Sequence, residues 1–364
     1  MLTFSCQCGN ELHFPNTKCV KCGLALGFIP RVQYLSAFTE TDQEVWLSSF
    51  DNKRYRPCKN YKNNDVCNWM VDLEDNTDYC MSCRLTQRTP DIAKDNNLRL
   101  WFLLEQAKRR LLYSVIKLNL PVKNKVDDPE AGLEFAFLED LVEDSFGNEL
   151  TIKEFVITGH NNGLITINLK EADHAFRIDM REKMKESYRT LVGHLRHESG
   201  HYYWDRLINE TEKITEFRAL FGDERIDYQE SLSHYYKNGP ANNWQETWIS
   251  AYASMHPWED WAETWAHYLH MVDTLETANN LELSIGSQLI SNPYVHKEFK
   301  NDVQIEEGFT EMFNHWCGLA RVLNGLNRSM GMDDAYPFII SLSSLNKLRF
   351  VHQVIHKFNN DLSR

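Results

Sequence analysis

The sequence predicts an α+β protein that is mostly helical, with a cysteine-rich N-terminal domain and a larger domain containing a small β-sheet. Three observations predict this class. Eight of the nine cysteines lie in the first 83 residues, short extended runs occupy residues 133–169, and helical apolar spacing dominates from about residue 173 onward. A chain of 364 residues is long enough for two domains. We expect them to span residues 1–90 and 91–364.

Composition and charge narrow the functional classes. The net charge is −13, which argues against a general nucleic-acid binder, because such proteins need a basic surface. No run approaches 18 consecutive apolar residues, so we expect no association with a membrane. The N-terminus lacks the basic and apolar regions of a signal peptide. These features predict a cytoplasmic protein.

The cysteines form two sets of four. The first is Cys6, Cys8, Cys19 and Cys22, and the second is Cys58, Cys67, Cys80 and Cys83. Four thiolates close a tetrahedral structural zinc site, and a cytoplasmic chain favours metal ligation over disulfides. Glycines after Cys8 and Cys22 suit the tight turns of a zinc ribbon. The spacing leaves open whether there are one or two zinc ions, and whether the sets mix. Cys317 lies in an apolar helical pattern and is predicted to be buried.

The charge of the cysteine-rich segment indicates its role. Residues 1–88 contain ten basic and ten acidic residues, so the segment carries no net charge. A zinc ribbon that binds nucleic acid usually has a basic face. We therefore expect a structural ribbon or one that recruits a protein partner.

The middle of the chain contains a helix and a small sheet. The residues around Pro90 predict a boundary, and residues 96–118 follow helical spacing, with Lys108-Arg109-Arg110 expected on a solvated face. Extended runs at 133–138, 155–158 and 164–169 follow, and a turn-rich link at 159–163 predicts a hairpin. An edge strand of such a sheet can bind an extended peptide.

The sequence His197-Glu198-Ser199-Gly200-His201 is an H-E-x-x-H motif. On a helix, residues four apart share a face, so both imidazoles can reach one metal ion. Glu198 can then reach a water molecule bound to that ion. The motif predicts a zinc metallopeptidase. The alternative is that the two histidines lie on the exposed face of an amphipathic helix and bind no metal. Close packing against another element would explain Gly200.

A second helix is expected to begin at Pro257 and to supply a third ligand. Glu259, Glu263 and His267 follow at four-residue intervals on nearly one face. Any of the three can reach the metal, and we favour Glu259, because the next carboxylate can then hold a ligand histidine. Position 207 is leucine, which excludes the class with a third histidine six residues after His201.

Together the two motifs resemble those of the gluzincin metallopeptidases. The segment from Tyr252 to Glu263 is similar to the second motif of the anthrax lethal factor group, in which a tyrosine precedes the ligand glutamate by seven residues. The resemblance implies that Glu259 is the third ligand. It also implies that Glu263 orients a ligand histidine and that Tyr252 stabilises the oxyanion.

Most of the chain is also similar to a family of bacterial zinc-binding metallopeptidases that begin with a zinc ribbon. The motifs that carry this resemblance include CNWMV, AKRRLLYSVI, RHESGHYYWD, FGDER and SAYASMHPWEDWAETWAHYLH.

The sequence thus predicts a gluzincin-like zinc peptidase domain after a zinc-ribbon domain. Glu198 would act as general base on peptide or protein substrates, with one catalytic and one or two structural Zn²⁺ ions. The alternative is a non-catalytic zinc-ribbon scaffold with an inactive metal site. Such a protein would need neither Glu198 nor Tyr252.

Overall fold

The computed structural model describes residues 2–42, 44–145, 149–184, 190–283 and 307–362. The chain divides into two compact units, residues 2–195 and 196–364. The domain boundary expected at residue 90 lies inside the first of these units and stays a prediction. None of the helices in the described ranges combines the length and apolar composition that a membrane crossing requires.

The cysteine-rich region is built from short antiparallel strands. Strands β1 (Thr3–Ser5) and β2 (Glu11–His13) form a hairpin. A five-stranded antiparallel sheet follows, with its strands in chain order: β3 (Ala25–Ile29), β4 (Tyr34–Glu40), β5 (Trp46–Ser48), β6 (Arg54–Pro57) and β7 (Met70–Asp72). Helix α1 (Lys59–Asn64) lies between the last two strands in the chain. The sequence analysis predicted none of these strands.

A second sheet contains β8 (Thr86–Arg88), β9 (Glu134–Leu138), β12 (Gly159–Asn161) and β13 (Leu164–Asn168). Its order is β12-β13-β9-β8, with β13 and β8 parallel to β9. Strands β10 (Leu141–Ser145) and β11 (Glu149–Glu154) form a separate hairpin.

The hairpin predicted in this region exists, but its first strand was placed too early. Residues 155–158 are not a strand; β12 at 159–161 pairs with β13 instead. The turn consists of Asn162 and Gly163 alone, with φ of 46° and 80°. Two adjacent residues with positive φ make a tight turn, so the residues just before it belong to the strand.

Helix α2 (Asn97–Lys117) confirms the predicted helix, but the solvated face expected for its basic triplet is wrong for two of the three residues. Lys108 is fully buried and pairs with Glu105 at 2.8 Å. Arg109 is also buried and donates a hydrogen bond to the Val66 carbonyl at 2.6 Å. Buried charges require such partners. Glu105 lies three residues before Lys108 on the same helix, whereas Val66 is distant from Arg109 in sequence.

Most of the other elements in the described ranges are α-helices. They are α3 (His174–Met184), α4 (Leu191–Leu207), α5 (Ile214–Phe221), α6 (Tyr228–Asn238), α7 (Trp244–Thr247), α8 (Pro257–Asn280), α9 (Glu307–Ser329) and α10 (Leu342–Leu362). As predicted, Pro257 occupies the first turn of α8, and His256 caps it by accepting a hydrogen bond from the Trp258 amide at 3.1 Å. The apolar stripe of α8 is core, because Trp261, Trp265 and Leu269 are fully buried.

Helices α4 and α8 pack in direct contact at Gly200. A Cβ atom at this position would lie 2.8 Å from the Ala262 Cα atom, closer than real Cβ contacts allow. Two indoles of α8 also bind α4: Trp261 Nε1 donates to the Gly200 carbonyl at 2.8 Å, and Trp265 Nε1 donates to Ser199 Oγ at 3.2 Å. The close packing expected from Gly200 is therefore present.

We predict that Gly200→Ala lowers the free energy of unfolding by about 1–3 kcal/mol, because the added methyl group forces the two helices apart. The control is Gly325→Ala in α9, where a Cβ atom meets nothing within 4 Å. This control should be neutral or more stable by up to about 1 kcal/mol. Urea unfolding followed by tryptophan fluorescence measures both. Equal stabilities of the two variants would contradict the close packing.

Candidate metal centres and active site

The first cysteine set converges on one point. The four Sγ atoms of Cys6, Cys8, Cys19 and Cys22 lie within 4.8 Å of one another. Cys6 and Cys22 are 3.6 Å apart at sulfur, and Cys8 and Cys19 are 3.7 Å apart. Tetrahedral zinc with Zn–S bonds of about 2.3 Å requires a sulfur separation of about 3.8 Å. The donor set therefore fits one structural zinc ion.

Within this set the backbone favours a thiolate at Cys19, whereas burial raises the pKa of the Cys6 thiol to about 12. Gly9 and Gly23 have φ of 79° and 75°, as expected for the turns that follow the ligands. Hydrogen bonds from the Cys22 amide and then the Lys21 amide lower the pKa of the Cys19 thiol to about 6, although burial opposes this. A thiolate is the form that binds zinc.

The second cysteine set forms a separate group. Its four sulfurs also lie within 4.8 Å of one another, and no cysteine from the first set joins them. Cys67 and Cys80 are 3.7 Å apart at sulfur, and all four thiols are buried but form no disulfide. Amides of Trp69 and Cys80 donate to the sulfurs of Cys67 and Cys58, each at 3.4 Å. The two sets are thus unmixed.

A third group of possible ligands joins two helices of the unit 196–364. His197 and His201 on α4 and Glu259 on α8 place their ligand atoms within 4.8 Å of one another. Glu259 Oε2 lies 2.9 Å from His197 Nε2, and Glu259 Oε1 lies 3.4 Å from His201 Nε2. The two imidazole centroids are 5.0 Å apart. This is the convergence that the four-residue spacing predicts for one face of a helix.

The other two candidates for the third ligand have different partners. Glu263 Oε1 lies 2.7 Å from His197 Nδ1, on the opposite side of the ring from Glu259. Ser250 Oγ donates to Glu263 Oε2 at 2.5 Å. His267 Nδ1 is 2.7 Å from the Tyr336 hydroxyl. Of the three, only Glu259 joins the two histidines in the metal-binding group found among the described residues.

The electrostatics of this group favour a cation at its centre. Burial opposes ionisation of Glu259, but His201 and His197 hold its pKa well below the usual value. Burial lowers the pKa of His197, yet Glu259 and Glu263 raise it well above the usual value. Glu259 Oε2 is buried and faces His197 Nε2 at 2.9 Å. A buried carboxylate that faces two imidazole nitrogens is a donor set that fits a zinc ion, which would replace the proton shared in this ion pair.

The two expected catalytic side chains belong to the same unit. Glu198 follows His197 on α4 and is 8% exposed. Tyr252 begins a short 3-10 turn, and its ring centroid lies 6.0 Å from that of His197. Burial raises the pKa of the Tyr252 phenol well above its usual value, and the charge of Glu259 adds to this effect. The phenol therefore keeps its proton at neutral pH.

The sequence analysis missed three side chains that contact this group. Ser250 binds Glu263, and the Tyr228 hydroxyl donates to Glu259 Oε1 at 2.8 Å. The Trp258 ring lies 4.0 Å from that of His201. The wealth of aromatic residues beside the second motif was a signal for Trp258. No spacing rule connects Tyr228 with Glu259, which lies 31 residues later.

Comparison with known proteins matches both parts of the chain to known families. Residues 97–354 match a family described as "Putative zinc-binding metallo-peptidase", and residues 3–94 match a zinc-ribbon domain. The chain belongs to this metallopeptidase family. Its similar relatives include uncharacterized proteins of Mycobacterium bovis and of two Mycobacterium tuberculosis strains. Each is 37% identical over 364 residues, covering 99% of this chain and 97% of the relative. No solved structure gave a significant match.

We predict that Glu263→Gln weakens zinc binding at the histidine site by about 10–100-fold, because His197 loses its charged hydrogen-bond partner while the shape is kept. Competition with a chromogenic chelator measures the affinity. The control is Glu246→Gln, which removes an exposed carboxylate from α7 and should bind zinc normally. An unchanged affinity for Glu263→Gln would show that this carboxylate does not support the ligand.

Proposed function

We propose that the protein is a zinc-dependent peptidase whose catalytic zinc is held by His197, His201 and Glu259. The observation that carries the proposal is the convergence of these three ligands, whose ligand atoms lie within 4.8 Å of one another, with Glu259 buried beside both imidazoles. Three protein ligands are the number typical of a catalytic zinc site, which keeps one position open. Bound zinc lowers the pKa of a water ligand towards neutrality and polarises a carbonyl group.

In this proposal Glu198 is the general base. It follows the first ligand directly on α4, so the helix fixes it beside the metal position. Its carboxylate takes the proton of the attacking water and passes it to the leaving amine of the peptide. A carboxylate in this position has no purpose in a site that only stabilises the fold, so its role separates the peptidase from a non-catalytic scaffold.

Tyr252 is proposed as the oxyanion donor. A phenol is protonated at neutral pH, and burial and the charge of Glu259 raise the pKa of Tyr252 further. A protonated phenol can donate a hydrogen bond to the negative oxygen that develops during hydrolysis. This hydrogen bond is stronger in the transition state than in the ground state, so it contributes to the rate. The set of roles is that of a gluzincin-like site and resembles the anthrax lethal factor group.

Glu263 and Ser250 hold the first ligand in place. The Glu263 carboxylate binds His197 Nδ1, which directs Nε2 towards Glu259 and the metal position. Ser250 fixes the second oxygen of Glu263. An imidazole held in this way is a better metal ligand, because its tautomer and its orientation are both set before the metal binds.

The N-terminal zinc ribbon is also part of the proposed function. Its two cysteine sets would bind two structural zinc ions, giving three zinc ions per chain with the catalytic one. Substrates are peptides or proteins, and the neutral ribbon at residues 1–90 is a candidate surface for a protein partner. The proposed location is the cytoplasm, and the proposed peptidase domain is residues 91–364.

We expect Glu198→Gln to lower kcat by about 10²–10⁴-fold on a cleavable peptide-library substrate, because the general base is lost. Zinc content should not change, since Glu198 is not a ligand. Glu216→Gln, which changes an exposed carboxylate on α5, serves as the control and should keep full activity. A Glu198→Gln protein that holds zinc and cleaves at the wild-type rate would falsify the proposed mechanism.

Counting zinc tests the metal assignments separately. Wild-type protein should contain about three zinc ions per chain, as expected from two four-cysteine sites and one three-ligand site. Glu259→Ala should lose one ion, Cys80→Ser should lose a different one, and Cys317→Ser should lose none. Elemental analysis after gel filtration gives the counts. A Glu259→Ala protein that retains all of its zinc would exclude Glu259 as a ligand.

A further inference from the structure

Tyr228 makes a direct contact with the proposed third ligand. Its hydroxyl donates a hydrogen bond to Glu259 Oε1 at 2.8 Å. A carboxylate only accepts, so the hydroxyl is the donor in this contact. A neutral donor to a buried carboxylate forms a charge-assisted hydrogen bond, which is stronger than one between neutral groups.

The position of Tyr228 is fixed by its surroundings. Asp227 caps α6 by accepting a hydrogen bond from the Glu230 amide at 2.7 Å, so Tyr228 is the first residue of a stable helix. Its ring packs edge-on against His256 and Trp258, with centroids 5.2 and 6.1 Å away. Both of these residues lie at the start of α8. Tyr228 thus packs against the start of α8, the helix that carries Glu259.

The two oxygens of Glu259 consequently have different environments. Oε1 accepts from Tyr228 and lies 3.4 Å from His201 Nε2, whereas Oε2 lies 2.9 Å from His197 Nε2 and receives no hydrogen bond from Tyr228. Without the phenol, the carboxylate could rotate, or it could bind a metal through both oxygens. Binding through both oxygens would fill the position that a catalytic site keeps for water.

We propose that Tyr228 is a positioning residue that fixes the Glu259 carboxylate with Oε2 directed at the metal. This inference rests on the proposed function, because it assumes that Glu259 is a zinc ligand. Tyr228 acts through Glu259 and is distinct from Tyr252, the proposed oxyanion donor.

The test is a double-mutant cycle on zinc affinity, measured on the full chain without substrate by competition between zinc-loaded protein and chelators of graded strength. Tyr228→Phe should raise the zinc dissociation constant of the histidine site by about 10–100-fold, the range known for residues that support metal ligands. In a Glu259→Ala background, where the ion is lost on gel filtration, direct zinc titration measures the weak residual affinity of the two histidines, and Tyr228→Phe should not change that affinity further, because the group it positions is gone. Tyr236→Phe, on the same helix but 61% exposed, is the control and should bind zinc normally.

Two outcomes would overturn the inference. One is an unchanged zinc affinity for Tyr228→Phe in the wild-type background. The other is an equal loss of affinity with and without Glu259, which would indicate a general structural effect. Comparing the two backgrounds cancels any general loss of stability caused by the Tyr228 substitution. The proposed function fails on a different measurement, namely wild-type peptide cleavage by Glu198→Gln, so the two failures are distinguishable.

Discussion

A buried carboxylate that faces two imidazoles is the constraint on which the helical unit depends. Glu259 Oε2 lies 2.9 Å from His197 Nε2, and a buried carboxylate is stabilised there by positive charge, either a proton on the imidazole or a bound cation. The ligands lie on two helices, so α4 and α8 must pack closely and in one register. Gly200 permits that approach and two buried indoles fix it. The contact between α4 and α8 therefore forms part of the core of this unit and also positions the ligands of the proposed metal site.

Features encoded by local spacing were predictable from the sequence. The four-residue interval of the two histidines and the start of α8 at Pro257 both depend on neighbours in the chain. The cysteine spacing suggested two sets but left open whether they mix, and the fold separates them. The third ligand could not be chosen by spacing alone, because Glu259, Glu263 and His267 share a face of α8. Their distinction depends on Ser250 and Tyr336, which other segments bring to that face.

Long-range packing explains the remaining differences between expectation and structure. Lys108 was expected in solvent because its neighbours in sequence are charged. In the fold its Nζ atom lies 5.6 Å from the ring centroids of Phe135 and Phe137, which belong to a later strand. Tyr228 was missed for the same reason, since its partner lies on another helix. Sequence periodicity shows which face of an element is apolar, but it does not identify the element that will cover it.

The two cysteine groups differ in their access to solvent, and this difference has a kinetic consequence. All four thiols of the second set are buried, whereas Cys22 of the first set is exposed. An incoming chelator or oxidant can attack a ligand only where it can reach the sulfur. Ions held by the two sets would therefore exchange with the medium at different rates, with the site nearer the N-terminus emptying first. Mild chelation would then remove the metal from the first cysteine set while the buried second set still holds its metal.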